Sequence, residues 1–250
     1  MADGERTEAA KSDKTGRFVP TLVVAQWLPG LIMLGISRLV VNRLPNEKVP
    51  LHWNAQNQVD SWGSPQELVW MPCIFLVIAL IWTIIMLFLR ANLIKRGDEA
   101  GHTLTVFLLG GLCMQIIFAV IDMFAIVAAD PHWDWWPTNF GIDKVAMLLT
   151  GLTLMVIGNF APKIRPNGVS GFRVPGAYAS REAWRRCQQF GGVLFMILGV
   201  VMILAALAYG GFRLYWICGT AFAVVPVLIF AYGSYAGRKY AEQGEPVSRR

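Results

Sequence analysis

Few residues in this chain could do chemistry, and they are scattered. Asp122 is the one acid inside an apolar block, and Gln115, seven residues earlier, shares its helical face. Arg38, near the end of an earlier apolar block, lies at a compatible depth. An acid so placed faces the protein interior and pairs, or serves an ion or proton path. A structural pair with Arg38 is the expectation, and a transport or proton site is the alternative. His52 and His132, with Asp60, Asp130 and Asp134, fall in loops whose spacing gives no support to a metal site. Cys73, Cys113, Cys187 and Cys218 have neither metal-ligand spacing nor a shared outer loop. There is no nucleophile elbow, phosphate loop or HExxH motif. The chain is therefore expected not to be an enzyme, with no catalytic residue, no metal and no cofactor.

The elements that must position these residues are apolar helices. Of 250 residues, 55% are hydrophobic and 15% charged, with a mean hydropathy of +0.48. A soluble domain carries about 25% charged residues. The apolar residues lie in six blocks, each close to the ~20 residues that cross a bilayer. This excludes a soluble enzyme, a disordered chain and a disulfide scaffold. The expected fold is all-α: a polytopic membrane protein with six transmembrane helices, at about Phe18–Val41, Val69–Leu89, Leu104–Ala129, Val145–Ala161, Phe190–Tyr209 and Leu214–Tyr235. Pro29 should kink the first and Pro226 the last. Gly151 and Gly158 share one face of span four, and Gly192 and Gly199 one face of span five, as close helix packing in lipid favours.

Orientation follows from basic residues, which collect on the cytoplasmic side. With the N-terminus inside, 17 of the 22 Lys and Arg are cytoplasmic. The expected topology is N-in/C-in. The net charge of +6 then reflects basic inner loops, and direct binding to nucleic acid is not expected. The chain divides into a cytoplasmic tail (1–17), the first span with an ordered extracytoplasmic loop (18–68), spans two and three with a Trp-rich outer loop (69–143), spans four to six with a basic cytoplasmic loop at 162–189 (144–235), and a second cytoplasmic tail (236–250).

Seven of the ten tryptophans fall at or beyond the outer boundary, among them Trp53, Trp62, Trp133, Trp135 and Trp136. They form an interfacial belt or a surface that receives an amphipathic ligand. Trp53 and Trp62 favour the ligand reading, because they sit inside a polar loop rather than at a span end. The loop from Leu44 to Pro65 suits an extended stretch over Val49–Asn54, with turn chemistry at Asn57, Asp60, Gly63 and Ser64. In the basic loop, Ser180 is a good N-cap for an amphipathic helix over 181–189. That helix is expected at the inner interface, with Trp184 inserted and Arg181, Arg185 and Arg186 on phosphates. Either the loop hugs anionic lipid or it docks a cytoplasmic partner.

Two stretches resemble the SdpI family of membrane proteins. The outer loop matches at Leu44-Pro45, Glu47-Lys48, Pro50, His52-Trp53-Asn54, Asp60 and Trp62-Gly63-Ser64, which resembles the extracytoplasmic segment of unknown function that accompanies that family. The inner loop matches at Gly158-Asn159, Pro162-Lys163, Asn167, Gly171-Phe172-Arg173, Pro175, Ser180, Glu182, Trp184 and Gly192. The family often has a histidine where this chain has Gln188. The resemblance implies a multi-pass protein of the bacterial plasma membrane that confers immunity to a secreted peptide toxin, and in some relatives signals by sequestering a cytoplasmic repressor. It implies an outer site over Pro50, His52, Trp53, Asn54, Asp60, Trp62 and the Trp133, Trp135, Trp136 cluster. It implies a cytoplasmic partner site over Asn159, Lys163, Asn167, Arg173, Trp184 and Arg185. Lipid bilayer, toxin peptide and repressor are the expected partners. A small ion- or proton-coupled transporter, resting on Asp122 and the kinked spans, is the alternative.

Overall fold

The computed structural model describes residues 19–44, 48–95, 100–130, 140–164, 166 and 170–243. The expected tail at 1–17, the cluster Trp133, Trp135, Trp136 and Asn167 lie outside the described residues. Six helices are long and apolar enough to cross a membrane: α1 (Val19–Val41), α2 (Glu67–Lys95), α3 (Ala100–Ala129), α4 (Ile142–Phe160), α5 (Arg181–Ala208) and α6 (Gly211–Lys239). They leave large aliphatic and aromatic side chains such as Leu80, Ile84 and Phe88 of α2 exposed, a surface suited to lipid rather than water.

α1 is broken by a turn at Gln26-Trp27 and resumes as Leu28–Val41. Pro29 has no N–H to offer the Ala25 carbonyl and its ring crowds that turn, so the chain breaks just ahead of it. α6 runs through Pro226 as one helix. Between α1 and α2 lies an element beyond the all-helical expectation. The extended stretch is strand β1 (Val49–Trp53), paired antiparallel with β2 (Val59–Gly63) in a register that sets Val49 opposite Gly63 and Pro50 opposite Trp62. Asn54 organises the turn: its Oδ1 accepts from the N–H of Gln56 at 2.9 Å and of Gln58 at 3.0 Å. Asn57 completes it at φ 59°, a left-handed conformation that asparagine tolerates. Ser64 and Glu67 then start α2 with half of a capping box, Glu67 Oε1 accepting from the Ser64 N–H at 2.9 Å.

From Ser170 on, the basic loop is more integrated with the bundle than an interfacial helix would be. A 3₁₀ turn, Pro175–Ala179, packs on α5 and α6. α5 begins at Arg181 and runs unbroken to Ala208, so the separate amphipathic helix over 181–189 is the first part of span five. Ser180 caps it as expected, accepting from Ala183 N–H at 3.1 Å. The same hydroxyl donates to the Tyr240 carbonyl at 2.5 Å, tying the start of α5 to the end of α6.

α4 and α5 meet through glycines. A Cβ at Gly158 would stand 2.6 Å from the Gly192 carbonyl oxygen, and one at Gly151 would stand 2.7 Å from that of Gly199. The antiparallel helices thus pair the glycines crosswise on two rungs, seven residues or about 10 Å apart. No larger residue fits at either rung without separating the backbones.

Candidate functional site

The two ends of the bundle differ. One carries the hairpin, the start of α4 and the α5–α6 turn. The other carries the 3₁₀ turn, the start of α5 and the end of α6, and it is basic.

At the hairpin end, the expected ligand residues separate into two groups. Val49 and Pro50 are buried, Val49 in one core with Val40, Leu68 and Ile126. Trp53 is half-buried, its ring edge-on to Phe124 of α3 at 5.1 Å. Asn54 holds the turn. These residues fasten the hairpin rather than present a surface. The exposed set is smaller: Trp62, 57% accessible on β2, and the His52–Asp60 pair, where Nδ1 donates to Oδ1 at 2.6 Å. The hairpin tip reaches the other half of the molecule. A Cβ at Gly211 would lie 3.2 Å from the Ala55 carbonyl oxygen, and one at Gly141 would lie 2.7 Å from Asn57. Asp143, buried in the first turn of α4, accepts from the Gly211 N–H at 2.5 Å. Asp143 was missed in the sequence because it stands just outside the apolar block that begins at Val145; an acid at a helix start is the signal that could have found it.

At the basic end, Asn159, Lys163, Arg173 and Arg185 are exposed. Lys163 lies over the Phe160 ring at 4.7 Å. Arg185 and Arg186 both bind Glu182: Arg185 through two bonds of 2.8 and 2.7 Å, Arg186 through one of 2.7 Å. Trp184 corrects the expectation. It is 1% exposed and its indole N–H donates to the Ile164 carbonyl at 2.8 Å, so it touches neither lipid nor a partner. It is the peg that seats the loop. Gln188, where the resembled family often has histidine, is fully buried. It accepts from the Phe172 N–H at 2.9 Å and donates to the Phe172 carbonyl at 3.1 Å. Gly171, at φ +94°, lets the chain come that close.

The intramembrane group also departs from expectation. Arg38 is exposed while Asp122 is fully buried, and among the described residues neither carboxylate oxygen of Asp122 has a hydrogen-bond partner. The Arg38–Asp122 pair is not formed: Arg38 is exposed on α1, while Ser37 and Val40 are the residues that α1 buries there. Gln115 is buried as expected and donates to the Phe75 carbonyl of α2 at 2.9 Å. Gln26 and Ser37, both fully buried on α1, were missed: neither is charged, and polar spacing within one apolar block gives little signal.

Six apolar helices, with a hairpin fastened across one end and a basic, internally seated loop at the other, define a polytopic membrane protein. Residues 163–235 match the model of the SdpI/YfhL protein family, and residues 28–76 match that of a domain of unknown function, DUF1648. The chain is therefore an SdpI-like membrane protein in which the DUF1648 segment supplies most of α1, the hairpin and the start of α2. No curated protein and no solved structure matches it.

Proposed function

We propose that this protein is a receptor and immunity factor in the bacterial plasma membrane, with the hairpin end outside and both termini in the cytoplasm. The ligand is a secreted, apolar antimicrobial peptide. The observation that carries the reading is Trp62: a large aromatic side chain held exposed on an ordered hairpin, beyond the ends of α1 and α2. An exposed aromatic anchor on a rigid element is what an amphipathic peptide would bury on binding. His52 and Asp60 beside it supply polar contacts.

The hairpin also bears on the α5–α6 turn through Ala55, Gly211 and Asp143. α5 and α6 lead from that turn to the exposed Arg173, Arg185 and Lys163 at the opposite end. Peptide binding at the hairpin would thus reach a cytoplasmic surface suited to an acidic patch on a repressor. The 17 to 5 division of basic residues supports this orientation.

The test is binding of fluorescently labelled secreted antimicrobial peptides to the purified chain in lipid nanodiscs. Wild type should bind at least one saturably, and Trp62→Ala should weaken it by about thirtyfold, the equivalent of about 2 kcal/mol. Equal binding by both proteins, or none by wild type, would remove the reading.

A further inference from the structure

The first three helices enclose a row of buried oxygen atoms without hydrogen-bond partners among the described residues: Gln26 Oε1 and Ser37 Oγ on α1, and Gln115 Oε1 with both carboxylate oxygens of Asp122 on α3. All four residues are at most 1% exposed. The orientation of each glutamine is fixed by its neighbours. Gln115 faces the Phe75 carbonyl, which can only accept, so its amide nitrogen must point there. Gln26 faces Thr83 Oγ1 at 2.8 Å, and that hydroxyl already gives its one proton to the Ala79 carbonyl, so again the amide nitrogen is the bonded end. The oxygen of each glutamine is therefore an acceptor without a donor among the described residues.

These oxygens run along one face. Gly111, Gln115 and Asp122 are spaced by four and seven residues on α3. A Cβ at Gly111 would sit 3.0 Å from Gln26 Oε1, which places Gln26 at the deep end of the row. Ser37 has Met33 and Val40 a turn away on either side, and Asp122 is followed a turn later by Ala125 and Ile126. All four apolar residues belong to one core cluster, so Ser37 and Asp122 border it from two helices. From Gly111 to Asp122 the row spans about 16 Å, and Asp122 lies about 10 Å short of the helix end that the hairpin covers through Trp53 and Phe124. A buried acceptor without a donor costs about 1–3 kcal/mol, and a carboxylate more. Such a row is stable only with proton donors along it, which in a polar cleft are water molecules and, at the carboxylate, a proton.

We propose that α1, α2 and α3 enclose a file of water molecules and that Asp122 is a proton-binding site exchanging through it, along Gln115 and Gln26, toward the end of the bundle away from the hairpin. The proton binds one Asp122 oxygen as O–H and leaves it as a hydrated proton, so no other bond changes. Ser37 relays between Asp122 and the file, while Gln115 and Gln26 anchor its deeper waters as acceptors. One carboxylate balances one positive charge, which leaves the site neutral within the hydrocarbon. The proposal does not rest on peptide recognition.

Infrared spectroscopy of the protein in nanodiscs tests it. Wild type should show a protonated carboxyl C=O band that is absent in Asp122→Asn and moved, but present, in Asp122→Glu. The second variant keeps the test open if the first fails to fold. On transfer to D2O that band should shift within minutes in folded protein, and Gln115→Leu should slow the shift by about tenfold or more. No Asp122-dependent carboxyl band at any pH where the protein stays folded would overturn the site. A band that shifts only on unfolding, or as fast in Gln115→Leu as in wild type, would overturn the file.

Discussion

Gln188 holds the backbone of Phe172 with both ends of its amide, accepting from the N–H at 2.9 Å and donating to the carbonyl at 3.1 Å. One buried side chain on α5 thereby closes the basic loop onto the helix that follows it. Gln188→Leu would leave the Phe172 N–H and carbonyl without this partner, at about 1–3 kcal/mol for each group left buried and unpaired. The thermal unfolding midpoint in detergent should fall clearly. Gln188→His, which can keep one of the two bonds, should fall less.

The glycine rungs give a second prediction. Gly158→Leu should drive α4 from α5, because its side chain would meet the Gly192 carbonyl. Folded yield in detergent should drop sharply. Gly219→Ala, with nothing within 4 Å of the added Cβ, should behave as wild type and serves as control.

Trp184→Phe should lower stability by about 1 kcal/mol through the lost bond to Ile164, and Trp184→Ala by about 3–5 kcal/mol through the cavity as well. Chemical denaturation of the purified variants checks this. A surface role for Trp184 would instead leave stability unchanged.

Reporter fusions after Gly63, Gly97, Pro137, Gly176 and Gly211 should alternate outside, inside, outside, inside, outside. A cytoplasmic reporter signal at Gly63 would invert the orientation on which the peptide reading depends.

The six spans were legible because an apolar run of about 20 residues admits few structures. The capping role of Ser180 was legible for a similar reason: its interaction is local. Non-local contacts were not legible. Trp184 reads as an interfacial anchor from its basic neighbours, yet the carbonyl it binds lies twenty residues earlier, across a turn whose path the sequence does not specify. Asp122 and Arg38 sit at matching depth, but depth leaves the facing of each helix open, and α1 turns Ser37 rather than Arg38 inward. The extended Val49–Asn54 stretch was visible, whereas its pairing with Val59–Gly63 depends on an asparagine in a left-handed turn. Within the outer candidate set, sequence could not separate Trp62 from Trp53. Only packing against Phe124 does so.

The most direct test of the receptor reading is survival. A bacterium expressing wild type, Trp62→Ala or Arg173→Ala, at matched membrane levels, is challenged with a panel of secreted antimicrobial peptides. Trp62 is exposed and Arg173 lies at the opposite end of the bundle, about 30 Å of hydrocarbon away. Wild type should raise the killing concentration of at least one peptide and Trp62→Ala should abolish that gain. Peptide binding by Arg173→Ala should remain that of wild type. No gain from wild type with any peptide, or undiminished protection by Trp62→Ala, would contradict it.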